Sequence, residues 1–135
     1  MNTKGAYLCF VLLIVGILSA CGTVAPTSAD PLTIAQGFWE AINAKNVDAA
    51  MAFVADDVVI RGCRDPLSDK TELGAFLSSE LEKGMTFEIS DLVSSAKDEA
   101  TYTMKIYTNG TMLVSSPFLR IQVRDEKIVL VEFPL

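Results

Sequence analysis

With 135 residues the chain has room for one domain. Its seventeen acidic against eleven basic residues, a formal charge of −6, weigh against a nucleic-acid partner, whose phosphates are bound by Lys and Arg displacing counterions. There is no histidine, so the commonest general base is missing and a zinc or iron site is poorly supplied with ligands; no metal and no cofactor is expected.

Hydrophobic residues make up 50% of the chain, and their excess lies at the N-terminus. Lys4 is followed by the uncharged run AYLCFVLLIVGILSA over residues 6–20. One positive charge ahead of a short apolar segment is the pattern of an export signal, and the run is too short to span a bilayer comfortably. It ends in Leu18-Ser19-Ala20-Cys21, which resembles the lipobox of bacterial lipoproteins. The resemblance implies that residues 1–20 are removed, that the Cys21 sulfur carries a diacylglyceryl group, and that the chain is held on a membrane. Two or more acyl chains make such an anchor stable. The expected location is the bacterial cell envelope, either the outer face of the plasma membrane or the outer membrane. Removal of residues 1–20 takes Lys4 and no acid, leaving ten basic against seventeen acidic residues, a formal charge of −7. It also removes Cys9, so with Cys21 acylated Cys63 has no intramolecular partner.

Residues 21–30, CGTVAPTSAD, hold the anchor and a flexible tether without periodicity. The domain is expected over residues 31–135, long enough to fold on its own core. Asp30 can cap a helix that has Pro31 at its first position and Ile34, Phe38 and Ile42 along one stripe. Residues 43–46 interrupt it, and residues 47–55 predict a second short helix with Met51 and Val54 on one side. A strand is predicted over residues 58–63, then the loop RDPLS, then a third helix begun by Asp69 with Glu72 at capping-box spacing and stopped by Gly84. From Met85 the pattern alternates, as strands do. Asn109-Gly110 is the strongest hairpin signal, and Pro117 inside the following run marks a bulge or an edge. Arg124 to Lys127 turns, and IVLVEF closes the sheet. The result is an α+β domain, three helices on one face of a curved antiparallel sheet.

That order, with FWEAINAKNVDAAMAFVADDVVI and the hairpin meander behind it, resembles the nuclear transport factor 2-like superfamily, which includes SnoaL-like proteins, ketosteroid isomerases, cyclases, dehydratases and many non-catalytic members. The resemblance implies a cone with a pocket between the sheet and its covering helices. In the isomerase pattern the catalytic base is an aspartate at the end of the strand that follows Ala-Asp-Asp; here that position is Gly62. The first-helix tyrosine donor corresponds to Phe38, and the second donor, an acid in a late strand, falls at Phe118 or Leu119. None of the three can take or give a proton. No catalytic residue is therefore assigned.

Candidate ligand-binding residues are Phe38, Trp39, Val58, Ile60, Gly62, Arg64, Tyr102 and Met104. The strand parity of Val58, Ile60, Tyr102 and Met104 suits an apolar cavity wall, and suits an ordinary core equally well. Trp39 either lines the pocket or, the commoner role, packs the helix on the sheet. Arg64 with Asp65 either orients a polar ligand group or forms a solvated pair. Cys63, flanked by Arg61 and Arg64, invites a reactive-thiol reading, but alternation puts it on the face opposite Gly62 and no histidine can act as its base, so an inert thiol is expected. Asp56 and Asp57 are expected as turn and cap residues at a helix-to-strand junction rather than as an acid pair or a calcium site. Three functions follow. The first is non-catalytic binding of a small apolar or amphipathic ligand or of a protein partner. The second is a cyclase, dehydratase or hydrolase using an unmatched acid such as Glu80 or Asp91. The third is a module that forms a homodimer through the outer sheet face, where Thr101, Thr103, Lys105 and Tyr107 alternate.

Overall fold

A computed structural model of the chain describes residues 29–134. The lipobox, Cys21 and nearly all of the tether lie outside the described residues. Eight elements follow in order: α1 (Pro31–Asn43), α2 (Val47–Met51), β1 (Val54–Arg61), α3 (Lys70–Glu82), β2 (Met85–Ala96), β3 (Glu99–Thr108), β4 (Thr111–Arg124) and β5 (Lys127–Glu132).

The helices begin where their caps place them. The Asp30 side chain accepts from the Leu32 N–H at 3.3 Å, and α1 then buries Ile34, Ala35, Phe38, Trp39 and Ile42 on one face. Lys45 adopts φ +58°, and Asn46 restarts the helix by accepting from the Ala49 N–H at 3.0 Å. At α3 the Asp69 carboxylate accepts from the Glu72 N–H at 2.9 Å. Glu72 reaches back to the N–H and hydroxyl of Ser68, both at 2.7 Å, and these bonds hold its carboxyl below its ordinary pKa. This is a reciprocal capping box displaced by one residue.

The second helix stops short of the predicted residue 55. It ends at Met51, and Val54 and Ala55 already belong to β1. The cause is a distant pairing: the Ile128 N–H donates to the Phe53 carbonyl at 2.8 Å, which draws the chain into the sheet and overrides the helical spacing of Met51 and Val54. Asp56 and Asp57 consequently stand within the strand, not at a junction. Both are exposed and ion-paired, Asp57 to Arg124 at 2.9 Å and Asp56 to Lys70 at 3.5 Å.

The sheet runs β1-β5-β4-β3-β2. Strands β2 to β5 form the predicted antiparallel meander, with Asn109 (φ +52°) and Gly110 (φ +81°) making the two-residue turn between β3 and β4. Strand β1, however, pairs with β5 in parallel, Ile60 opposite Val131 and Arg61 opposite Glu132, so the sheet is mixed rather than wholly antiparallel. Two bulges flank β3 at one level. Asp91 (φ +53°) interrupts the pairing of β2, and Pro117-Phe118 (Phe118 φ +61°) that of β4. Paired bulges sharpen the bend of the sheet around the helices. Among the described residues no helix is long and apolar enough to cross a membrane.

Candidate functional site

The face of the sheet beneath α1 is filled by rings. Trp39 stands at the centre, with centroid distances of 4.8 Å to Phe38, 5.5 Å to Tyr102 and 6.0 Å to both Phe87 and Phe133, and Phe76 closes the row 6.2 Å from Phe133. Such edge and tilted contacts are the favoured arrangements of packed aromatics. Phe38 and Met104 are 0% exposed, Tyr102 and Val58 are buried, and Ile60 is half-buried against the same cluster. The inward parity of these residues is that of the sequence. Four clefts among the described residues are bordered by side chains other than Phe38, Val58, Ile60, Gly62, Arg64 and Met104, while Tyr102 borders one of them and Trp39 another. The side chains fill the interior as a core does. Of the two isomerase positions in the late strand, Leu119 is buried and Phe118 points outward, 82% exposed.

The strand end is shaped by the backbone. Gly62 has φ +80°, and a Cβ there would stand 1.8 Å from the Phe133 carbonyl oxygen. The contact is forced because the Phe133 N–H donates to the Arg61 carbonyl at 2.8 Å, so β5's extension crosses directly over the glycine. The same positive φ ends the alternation of β1. Cys63 therefore packs against the core instead of on the far face, and burial pushes its thiol up to about 11. At neutral pH it is protonated, and its nucleophilic form is scarce. Arg64 and Asp65 are exposed in the following loop, and neither makes an ion pair among the described residues.

Tyr102 is the ionisable group deepest in the interior. Its hydroxyl donates to the Glu132 carbonyl, and burial, reinforced by Glu132 and Cys63, drives its pKa well upward. A phenol so held stays neutral and already spends its proton on the backbone, so it is a poor acid and a poor base. Glu80 lies on α3, paired with Lys83 at 2.7 Å, and Asp91 sits exposed at its bulge. Asp91 is therefore in solvent, whereas the Glu80 side chain is 18% exposed and follows Phe76 by one turn of α3. Among the described residues no charged side chain is buried, and no three His, Cys, Asp or Glu side chains gather as metal ligands would.

Two surface features escape the sequence. On the outer sheet face a cleft is bordered by Asp91, Val93, Pro117, Phe118 and the β3 segment Thr101, Tyr102 and Thr103. Beside it Arg120 binds Glu132 at 2.8 Å and lies 3.8 Å from Glu99, and Lys105 binds Glu88 at 2.7 Å. The second cleft, of about 350 Å³, lies between α1 and β2. Leu32, Ile89 and Leu92 are its apolar walls, and Gln36, Glu40 and Asn43 its exposed rim. Trp39 also borders it, and the indole Nε1–H of this buried residue has no hydrogen-bond partner. An unpaired buried donor costs about 1–3 kcal/mol. Heptad-like spacing of Leu32, Gln36, Trp39 and Asn43 along α1 is visible in the sequence, but the β2 wall and the unpaired donor are not.

Residues 35–131 match the SnoaL-like domain. The chain belongs to the SnoaL-like family. Among solved structures it is similar to an NTF2-like protein of unknown function from Cytophaga hutchinsonii, with TM-score 0.63 and 12% identity over 76% of this chain and 86% of that one. The Δ5-3-ketosteroid isomerase from a Mycobacterium species gives TM-score 0.61 and 18% identity over 76% and 91%. A Mycobacterium tuberculosis protein in complex with estradiol-17beta-hemisuccinate gives 0.60 and 20% over 76% and 92%. At these identities the likeness establishes the SnoaL-like, NTF2-like fold: three helices on a five-stranded, mostly antiparallel sheet. No curated protein matches the chain.

Proposed function

We propose that this SnoaL-like domain is held in the bacterial envelope by acylated Cys21 and binds a small, largely apolar ligand without transforming it. The observation that carries the non-catalytic part is the interior itself. Phe38, Gly62 and either Phe118 or Leu119 occupy the positions that the resemblance aligns with an isomerase's donors and base, and the deepest ionisable group, Tyr102, is buried, neutral and bonded to the backbone. Proton transfer needs a titratable group at the reacting atoms, and none is supplied there. The binding part draws on a protein of the same fold that is seen in complex with estradiol-17beta-hemisuccinate. Native mass spectrometry of the purified full-length chain is expected to show a co-purifying small molecule. A chain that carries none, and takes up none from a panel of steroids, fatty alcohols and aromatic ketones, sinks the ligand-binding reading.

The anchor has its own test. Cys21→Ser removes the only acceptor for the acyl group and is expected to move the chain from the membrane fraction to the soluble fraction, with loss of the acyl mass. Continued membrane retention by the acyl-free chain would mean that something other than lipid holds it.

A second reading is favoured by Phe118, 82% exposed on the outer sheet face beside Val93, which is 53% exposed. Large apolar side chains exposed together mark contact surfaces. In that reading the face docks a second copy, with the Arg120–Glu132 and Lys105–Glu88 pairs forming a polar rim around the apolar centre. The same mass spectrum separates the two readings, since a dimer without ligand supports only the second.

A further inference from the structure

The chain has one tryptophan, and its side-chain N–H is the sole buried side-chain polar atom without a partner among the described residues. We infer that the cleft between α1 and β2, outside the ring-filled interior, is a binding site for a neutral, compact, apolar molecule whose acceptor oxygen takes the Trp39 indole N–H. The inference rests on the ligand-binding reading above and gives it an address and a chemistry.

Four observations fix the ligand's character. The N–H is unpaired, so an incoming acceptor gains a hydrogen bond without breaking one inside the protein. The walls, Leu32, Ile89 and Leu92, are apolar and only partly buried, and a ligand completes their burial. The rim is negative: the Gln36 side-chain amide donates to the Glu40 carboxylate at 2.9 Å, which holds that charge over the opening in a chain that is already acidic. An anionic ligand is repelled there, and a neutral one is not. The volume, about 350 Å³, lies near the small end of ligand sites and suits a fused bicyclic molecule or one of similar bulk.

Trp39 is only 2% exposed, so the oxygen reaches its N–H by moving the partly buried wall residues aside as the apolar body enters. Binding is then coupled to local opening between α1 and the wall of β2 around Ile89 and Leu92. This coupling makes the indole itself the reporter.

The experiment uses the full-length Cys21→Ser chain, free of acyl groups and isotope-labelled, titrated with 1-tetralone, tetralin and 1-naphthoate. A single tryptophan gives a single indole N–H signal, and its assignment needs no further work. The ketone is expected to bind about tenfold tighter than the hydrocarbon, the difference made by one hydrogen bond, and to move the indole signal downfield. Naphthoate is expected to bind more weakly than the ketone. Trp39→Phe should erase the preference for the ketone and leave tetralin binding in place. Should that variant fail to fold, Glu40→Gln, on the exposed rim, is expected to raise naphthoate affinity several-fold. Equal binding of ketone and hydrocarbon, or a preference that survives Trp39→Phe, overturns the proposal. If probes bind but shift signals only away from Leu32, Gln36 and Leu92, the site is wrong and the ligand-binding reading stands. If nothing binds the folded chain anywhere, both fall.

Discussion

Replacing Gly62 with aspartate is expected to destabilise the domain by about 2–4 kcal/mol, although the change restores the residue that the isomerase pattern places at this strand end. Two independent costs add. A side chain at φ +80° is strained wherever it sits, and here its first carbon would stand 1.8 Å from the Phe133 carbonyl oxygen, a backbone atom that moves only if the β1–β5 crossing opens. Because both costs belong to Cβ, Gly62→Ala should lose nearly as much. Arg64→Asp, in the adjoining exposed loop, introduces the same carboxylate without either cost and should stay within about 0.5 kcal/mol of the parent. Urea unfolding of the three variants checks this. An aspartate variant as stable as the parent would mean that the crossing yields easily, and the base position would then be open to chemistry after all.

The same glycine shows where reading the chain from its residues reaches its limit. Helices α1 and α3 and the β3–β4 hairpin were legible because their signals are local: Asp30 and Asp69 cap the turns that follow them, and Asn109-Gly110 supplies two positive φ values in succession. The start of β1 was not, because Val54 joins the sheet through β5, which is remote in sequence and runs parallel to it. Nor was the inward turn of Cys63, since parity holds only while φ stays extended, and Gly62 breaks it in one step. The outline of the site shows a deeper limit. Val58, Ile60, Tyr102 and Met104 alternate inward whether they wall a void or fill it, and only the size of Trp39, Phe87 and Phe133, arriving from α1, β2 and the chain just past β5, decides which. The cleft beside β2 was invisible for the same reason: one wall comes from each of two elements, and a missing hydrogen bond has no sequence signature.

Phe38→Ala is expected to cost about 3–5 kcal/mol, the largest loss among the substitutions considered. Phe38 is fully buried and meets Trp39 edge-on at 4.8 Å, so removing its ring takes away apolar burial and leaves a cavity that neighbouring side chains cannot close without moving the tryptophan. The two views of the interior predict different pairs of results. If the rings are a core, the variant unfolds at much lower urea while the folded fraction still prefers 1-tetralone over tetralin, because the Trp39 N–H and the walls at Leu32 and Leu92 remain. If Phe38 instead walls a ligand pocket, the free chain loses little stability and the stabilisation conferred by ligand is what falls. Phe38→Tyr sharpens the distinction. It adds a hydroxyl where the isomerase has its donor, and in a packed interior that hydroxyl has to be buried without a partner, at a cost of about 1–3 kcal/mol. A tyrosine tolerated without loss would show room for a polar atom beside Trp39, and the interior would then have to be counted as a binding site alongside the α1–β2 cleft.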